Sequence, residues 1–255
     1  MSSTEAKTDK IIHLRDLLRE RFPGAHASPA RLHPLAAAPV AAEVHPEFPL
    51  GVTLFDSLDG GLGPGRGTLT EIVVPPRRTG AGSLIAGLIQ AASTAERRFP
   101  LGLVDAADSF DPTALSDSPA SASALCRRLC WIRCQRQVEK AVKAVDLLLR
   151  DGNLPVLLLD LQLCPPADIR RSIPGGHRTW HRLRTLAEQA GTILLSFTPE
   201  PMIPSSAWRL EIHQRWSLDA IDRLPLTNDL RHEPVRHSTT RARPALGTAE
   251  WAMAG

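Results

Sequence analysis

The chain has 255 residues, 43% of them hydrophobic, with 22 Pro, 17 Gly and a formal charge of +3. That is apolar chain enough for one large α/β domain with appendages, and a pI near 8.9 permits nucleic-acid contact without demanding it. No stretch approaches the roughly 18 uncharged apolar residues of a membrane span, and four Cys with no leader-like segment behind Met1 fit a reducing cytosol, so a soluble cytoplasmic protein is expected.

Residues 1–22 hold a first predicted helix. Thr8 and Asp9 can cap it, and Ile11, Leu14, Leu17 and Leu18 form an apolar stripe over 10–22. That stripe suits either packing on the core or docking to another subunit. Residues 23–49 are rich in Ala, Pro and His, lack periodicity and read as a linker. The folded core is expected over 50–230. It opens with a short helix and a turn carrying Gly60, Gly61, Gly63, Gly65 and Gly67. Those glycines precede the first strand, whereas a dinucleotide-binding fingerprint needs them after it.

The stretch 68–88 then reads strand, Pro/Gly-rich loop, helix. A phosphate-binding P-loop sits in such a place, with the pattern G-x-x-x-x-G-K-[ST]. Here Pro75 stands for the first Gly and Gly80 for the second. Ala81 stands where the Lys belongs and Gly82 where the hydroxyl belongs. Pro75 has no N–H for a phosphate, Ala81 has no charge, and Ser83 supplies a hydroxyl only if the register slides by one. Arg77 and Arg78 are the only substitute cations, and a guanidinium is not interchangeable with the ammonium. ATP and Mg²⁺ are therefore not expected as cofactors.

Further strands are expected at 100–106, 130–133, 156–161, 192–197 and 209–213. Helices are expected at 83–98, 138–150 and 180–190, with a broken helical region at 114–129 and a loop at 165–177. The unbroken apolar run 156–161 marks a central parallel strand buried on both faces. Strands alternating with helices imply a mainly parallel sheet with helices on both faces, whose site lies at the strands' carboxyl ends. Residues 231–255 are polar and basic and read as a disordered tail.

Other constellations carry less. Cys126, Cys130 and Cys134 would share a face on one helix, but the segment breaks, and three buried structural cysteines are expected rather than a metal site. His177 and His181 flank Trp180 without an acidic partner nearby, so solvent-facing or DNA-proximal imidazoles are expected. Asp105, Asp108 and Asp160 fall at strand ends, where they could hold Mg²⁺ or be the relic of a nucleotide site.

Taken together, these residues resemble the RecA core over about 50–215. The most specific match is DAADSFDP at 105–112, similar to the family's D-A-E-x-x-x-D-P segment. LLLD at 157–160 falls where the Walker B strand belongs. The resemblance implies a RecA-like P-loop core with a degenerate nucleotide site. The water-positioning Glu aligns with Ala107, the nucleotide-sensing strand end with Ser196, Phe197 and Thr198, and only Asp160 remains. No catalytic residue is expected.

A short RecA-like chain with an LRDLLRERFP helix, a degraded P-loop and a basic tail further resembles the ImuA family. That implies an SOS-induced accessory factor of translesion DNA synthesis, working beside an ImuB-like Y-family polymerase homologue and an error-prone replicative-type polymerase. The alternatives are a weak ATPase using Arg77 or Arg78 and a stand-alone single-stranded-DNA-binding module.

For DNA, the candidates are Arg170, Arg171 and Arg178 in the basic segment 164–184, where RecA relatives place their first DNA loop, with Trp180 close by to stack on a base. The second DNA loop position, 198–206, has no Arg or Lys, which argues against filament-type binding. For a protein partner, Leu246, Trp251 and Met253 are spaced along the tail as anchors.

Overall fold

A computed structural model describes residues 49–58, 63–75, 80–94, 99–116, 118–173, 175–212 and 232–236. The 10–22 helix, the linker up to residue 48, Arg77 and Arg78, and the tail anchors Leu246, Trp251 and Met253 lie outside these residues. Among the described residues seven strands form one sheet: β1 (Leu69–Val73), β2 (Leu101–Asp105), β3 (Leu129–Arg133), β4 (Val156–Asp160), β5 (Ile193–Thr198), β6 (Trp208–Ile212) and β7 (His232–Arg236). Their order is β3-β2-β4-β5-β1-β6-β7. β1 to β6 run parallel, and only β7 is antiparallel, on β6. The architecture is the α/β one expected of a RecA-like core.

The helices are α1 (Thr53–Asp56), α2 (Ala81–Thr94), α3 (Pro119–Leu125), α4 (Val138–Asp151), α5 (Pro166–Ser172) and α6 (His177–Ala190). The pleat sends alternate strand residues to opposite faces, so the apolar strand runs feed two cores at once. Val156 and Leu158 join α1 and α2 on one face, while Leu157 and Leu159 join α4 and α6 on the other. On α4 the buried residues Val138, Ala141, Val142, Val145, Leu148 and Leu149 recur at helical spacing. Its outer face carries the i,i+4 pairs Glu139–Lys143 at 2.6 Å and Asp146–Arg150 at 2.9 Å. Arg182 of α6 reaches Asp146 at 3.2 Å and ties the two neighbouring helices together.

Gly67 shows why the turn before β1 is glycine-rich. Its φ is +76°, and a Cβ there would sit 3.0 Å from the Cα of Glu188. Among the described residues no helix is long and apolar enough to cross a membrane.

Three expectations need correction. The stretch expected as a loop at 165–177 contains α5, because Pro166 at its first position pre-sets the helical φ and Ile169 anchors the turn in the core. The tail expected from 231 begins with β7, which pairs with β6 from Trp208↔Arg236 to Ile212↔His232. Pro234 is tolerated there because an edge strand has one side without a ladder. Of the three cysteines expected to be buried, only Cys134 is; Cys126 and Cys130 are half-buried.

A candidate site at the carboxyl edge of the sheet

Because β1 to β6 are parallel, the segments following β1 to β5 share one rim. β1, which leads into the phosphate-loop position, is separated from β4 by β5 alone. Pro75 is half-buried at the start of that loop. Gly80 is buried at φ +119° and accepts the first helical bond of α2 from the Leu84 N–H at 2.9 Å. Ala81 opens α2 and is 1% exposed, packed in the core with Leu84 and Ile85. Gly82 is exposed, and Ser83 is half-buried.

Asp105 and Asp160 are register partners on β2 and β4, and both are buried. Their oxygens are engaged within the protein. Asp105 accepts the N–H of Ser109 at 2.9 Å and of Phe110 at 3.0 Å. Asp160 accepts the Ser109 hydroxyl at 3.1 Å, the Gln162 N–H at 3.0 Å and the Gln162 amide at 3.2 Å. Ser109 thus bridges the two strand ends. Asp108 turns elsewhere: at φ +56° it accepts the Gln135 N–H at 3.2 Å and faces Arg133 at 3.5 Å. Ala107 is half-buried on the α4 side of the sheet.

Burial pushes Asp160 up to about 6, with nearby Asp105 adding to the shift against its hydrogen bonds from Gln162 and Ser109. Cys134 and Cys164 are each pushed up to about 11 by burial and by the neighbouring carboxylates, and so remain neutral thiols. Cys126, Cys130 and Cys134 occupy a 3-10 turn, a strand and the residue after it, and share no helical face.

The Asp160 shift sets a pH dependence. Its proton is held more tightly in the folded chain than in the unfolded one, where the ordinary value is 3.8. Stability from this group is therefore full below about pH 4 and is lost as pH rises through 6, a difference on the order of 3 kcal/mol. Asp160→Asn should be more stable than the parent above pH 6, with the gain vanishing toward pH 4. Urea unfolding across that range checks this, and parallel pH profiles for the two proteins would refute it.

Sequence reasoning missed the most heavily bonded group on this edge. Glu71, in the middle of β1, is 0% exposed. Its Oε1 accepts the Thr198 hydroxyl at 3.1 Å, the Met202 N–H at 2.6 Å and the Ile203 N–H at 3.0 Å. Its Oε2 accepts Arg209 Nε at 2.6 Å. A carboxylate within an apolar strand must find partners, and that was the available signal. The network holds the β5–β6 loop against β1. Nearby Ser196 is also buried, and its hydroxyl has no partner among the described residues.

The DNA candidates are exposed on helices rather than on a flexed loop. Arg170 pairs with Glu200 and Arg171 with Asp168 at 2.6 Å. Arg184 pairs with Glu188 at 2.7 Å. Arg178 stands exposed in the first turn of α6. Trp180, expected close by as a stacking ring, is 3% exposed and faces the core. His177 and His181 are exposed, as expected.

No protein-family model matches the chain, and no curated protein matches it. Among solved structures it is similar to the crystal structure of the RadB recombinase, at 15% identity and a TM-score of 0.49, over 64% of this chain and 82% of that one. A likeness at that level says nothing of function.

Proposed function

We propose that this chain is a catalytically inactive, nucleotide-independent RecA-like accessory protein of SOS-induced translesion DNA synthesis. It acts in the cytoplasm, at the nucleoid, as an adaptor between an ImuB-like Y-family polymerase homologue and an error-prone replicative-type polymerase. The resemblance of 105–112 and 157–160 to the RecA core supports the fold, and that of the LRDLLRERFP helix, the degraded P-loop and the basic tail to the ImuA family supports the pathway. The observation that carries the inactivity is position 81, where a buried alanine occupies the place of the phosphate-binding lysine.

Among the described residues, the surroundings of position 81 do not fit MgATP. Pro75 offers no N–H, Gly82 no hydroxyl, and the oxygens of Asp105 and Asp160 are taken up by Ser109, Phe110 and Gln162. No step is routed through a nucleotide. What remains is a sheet with segments beyond it that can engage other proteins.

Calorimetry with MgATP should show no binding, and the purified chain should capture an ImuB-like partner equally with and without nucleotide. Micromolar MgATP affinity, or capture that needs ATP, would overturn the reading. The tail is the expected contact. Deleting 237–255, which keeps β7 but removes Leu246, Trp251 and Met253, should abolish capture while melting stays cooperative. A buried Trp anchor alone is often worth about 2 kcal/mol or more. Full capture by the truncated chain would move the contact to the 10–22 helix.

A further inference from the structure

A cavity of about 370 Å³ lies between the turn that opens α4, the start of that helix and the end of α5. Four cations line it, Arg136, Lys140, Lys143 and Arg171, against two carboxylates, Glu139 and Asp168. Both carboxylates are already matched one to one. Glu139 holds Lys143 at 2.6 Å, and Asp168 holds Arg171 at 2.6 Å. Arg136 and Lys140 form no ion pair among the described residues. The neutral lining adds the Ser172 hydroxyl and the Gln137 amide, neither of them hydrogen-bonded among the described residues. Each negative charge in the cavity is thus taken, while two cations and two neutral donors stand open.

The turn that carries Arg136 is a strained one. Gln135 and Arg136 hold φ +52° and +61°, two successive left-handed residues without a glycine. The Gln135 N–H is tied to Asp108 at 3.2 Å. Such backbone persists only where its surroundings over-determine it, and here it sets Arg136 at the cavity.

From this arrangement we infer that the cavity between α4 and α5 binds phosphate, carried either by a free polyphosphate or by a nucleic-acid strand. Two open cations exceed what one carboxylate neutralises and match a polyphosphate or successive phosphodiesters. A guanidinium can also meet two phosphate oxygens at once. A protein anchor fits less well, since the one apolar residue of the lining, Val138, is 3% exposed. The inference goes beyond the proposed function and is separate from the phosphate-loop position. Val138 packs in the core on one face of the sheet, and Ala81 in the core on the other.

The test uses the full chain, labelled with 15N, in buffer without divalent cations. Inorganic pyrophosphate and an oligo-dT strand are titrated separately and then in competition, with the backbone amides of 136–143 and 168–172 as reporters. Two double variants of equal charge loss are compared with the parent. Arg136→Gln with Lys140→Gln removes the open cations, whereas Arg127→Gln with Arg128→Gln removes two cations outside the cavity. All four positions are exposed, so both variants should melt like the parent.

Phosphate binding should shift the reporter amides. The cavity variant should weaken it by about tenfold or more, and the outer variant by less than about twofold. If oligo-dT moves these amides and displaces pyrophosphate, a strand is the carrier; if pyrophosphate binds and oligo-dT does not compete, the carrier is a free polyphosphate. No shift with either ligand overturns the proposal. Equal weakening in the two variants also overturns it, because net charge alone would then attract the anion. The titration contains neither nucleotide nor protein partner, so its failure leaves the nucleotide-independent adaptor reading standing.

Discussion

Ala81→Lys is expected to destabilise the folded domain by about 3–5 kcal/mol and to create no MgATP binding. Ala81 is 1% exposed at the first position of α2, and its Cβ lies in the cluster that includes Leu84 and Ile85. A lysine there must bury its ammonium or displace the turn around Gly80. It would also place a cation at the positive end of a 14-residue helix, which is unfavourable in itself. In a working phosphate loop the nucleotide offsets both costs; here Pro75, Gly82 and the engaged carboxylates offer nothing to hold one. For a domain of this size the loss lowers the melting temperature by roughly 10 °C. Thermal unfolding together with calorimetry measures both parts. A variant that melts like its parent and binds MgATP would mean that the site is one substitution from competence, and the proposed function would fall with it.

Glu71→Ala is expected to cost at least as much. It removes the acceptor of four hydrogen bonds, leaving the Met202 and Ile203 N–H groups and the Arg209 guanidinium without it. Breaking a buried ion pair from one side typically costs about 3–5 kcal/mol, because the remaining charge stays desolvated. Arg209 is only partly sheltered, with 18% of its side chain exposed, so water recovers some of that loss. Removing both charges in Glu71→Leu with Arg209→Met should restore much of the stability, since an apolar pair needs no solvation. Urea unfolding of the single and double variants decides the matter. A loss under about 1 kcal/mol for Glu71→Ala would mean that the network does not pin the β5–β6 loop. The same variant should loosen the β5–β6 loop at Met202 and Ile203.

The strands and helices of the parallel core were legible because each is written in short-range pattern. Buried strands appear as runs such as 156–160, and α4 as an apolar stripe with charges opposite. That the segments after the strands share one rim followed once the sheet was parallel, but their order across it, β3-β2-β4-β5-β1-β6, is not chain order. The errors fell where local pattern and tertiary context compete. Pro165 and Pro166 read as loop, yet the second proline starts α5 because Ile169 has a core to enter. HEPVR has no strand signature, and β7 exists because the free edge of β6 offers it a ladder.

What the sequence determined by itself is the layered α/β architecture and the residues at the phosphate-loop position, Ala81 in place of a lysine and Gly82 in place of a hydroxyl, since residue identity and periodicity need no third dimension. Pairing across long separations was decided by the tertiary structure alone. Glu71 meets Arg209, Thr198 and Met202 from more than a hundred residues away. Ser109 joins Asp105 to Asp160, and Arg170 finds Glu200. Trp180 turns inward, and Ala81 is sealed in the core rather than facing a ligand. Sequence lists the charges and the apolar groups; which of them neutralise or cover one another depends on which strand ends the fold sets side by side, and that choice set the carboxylate pair that Ser109 bridges.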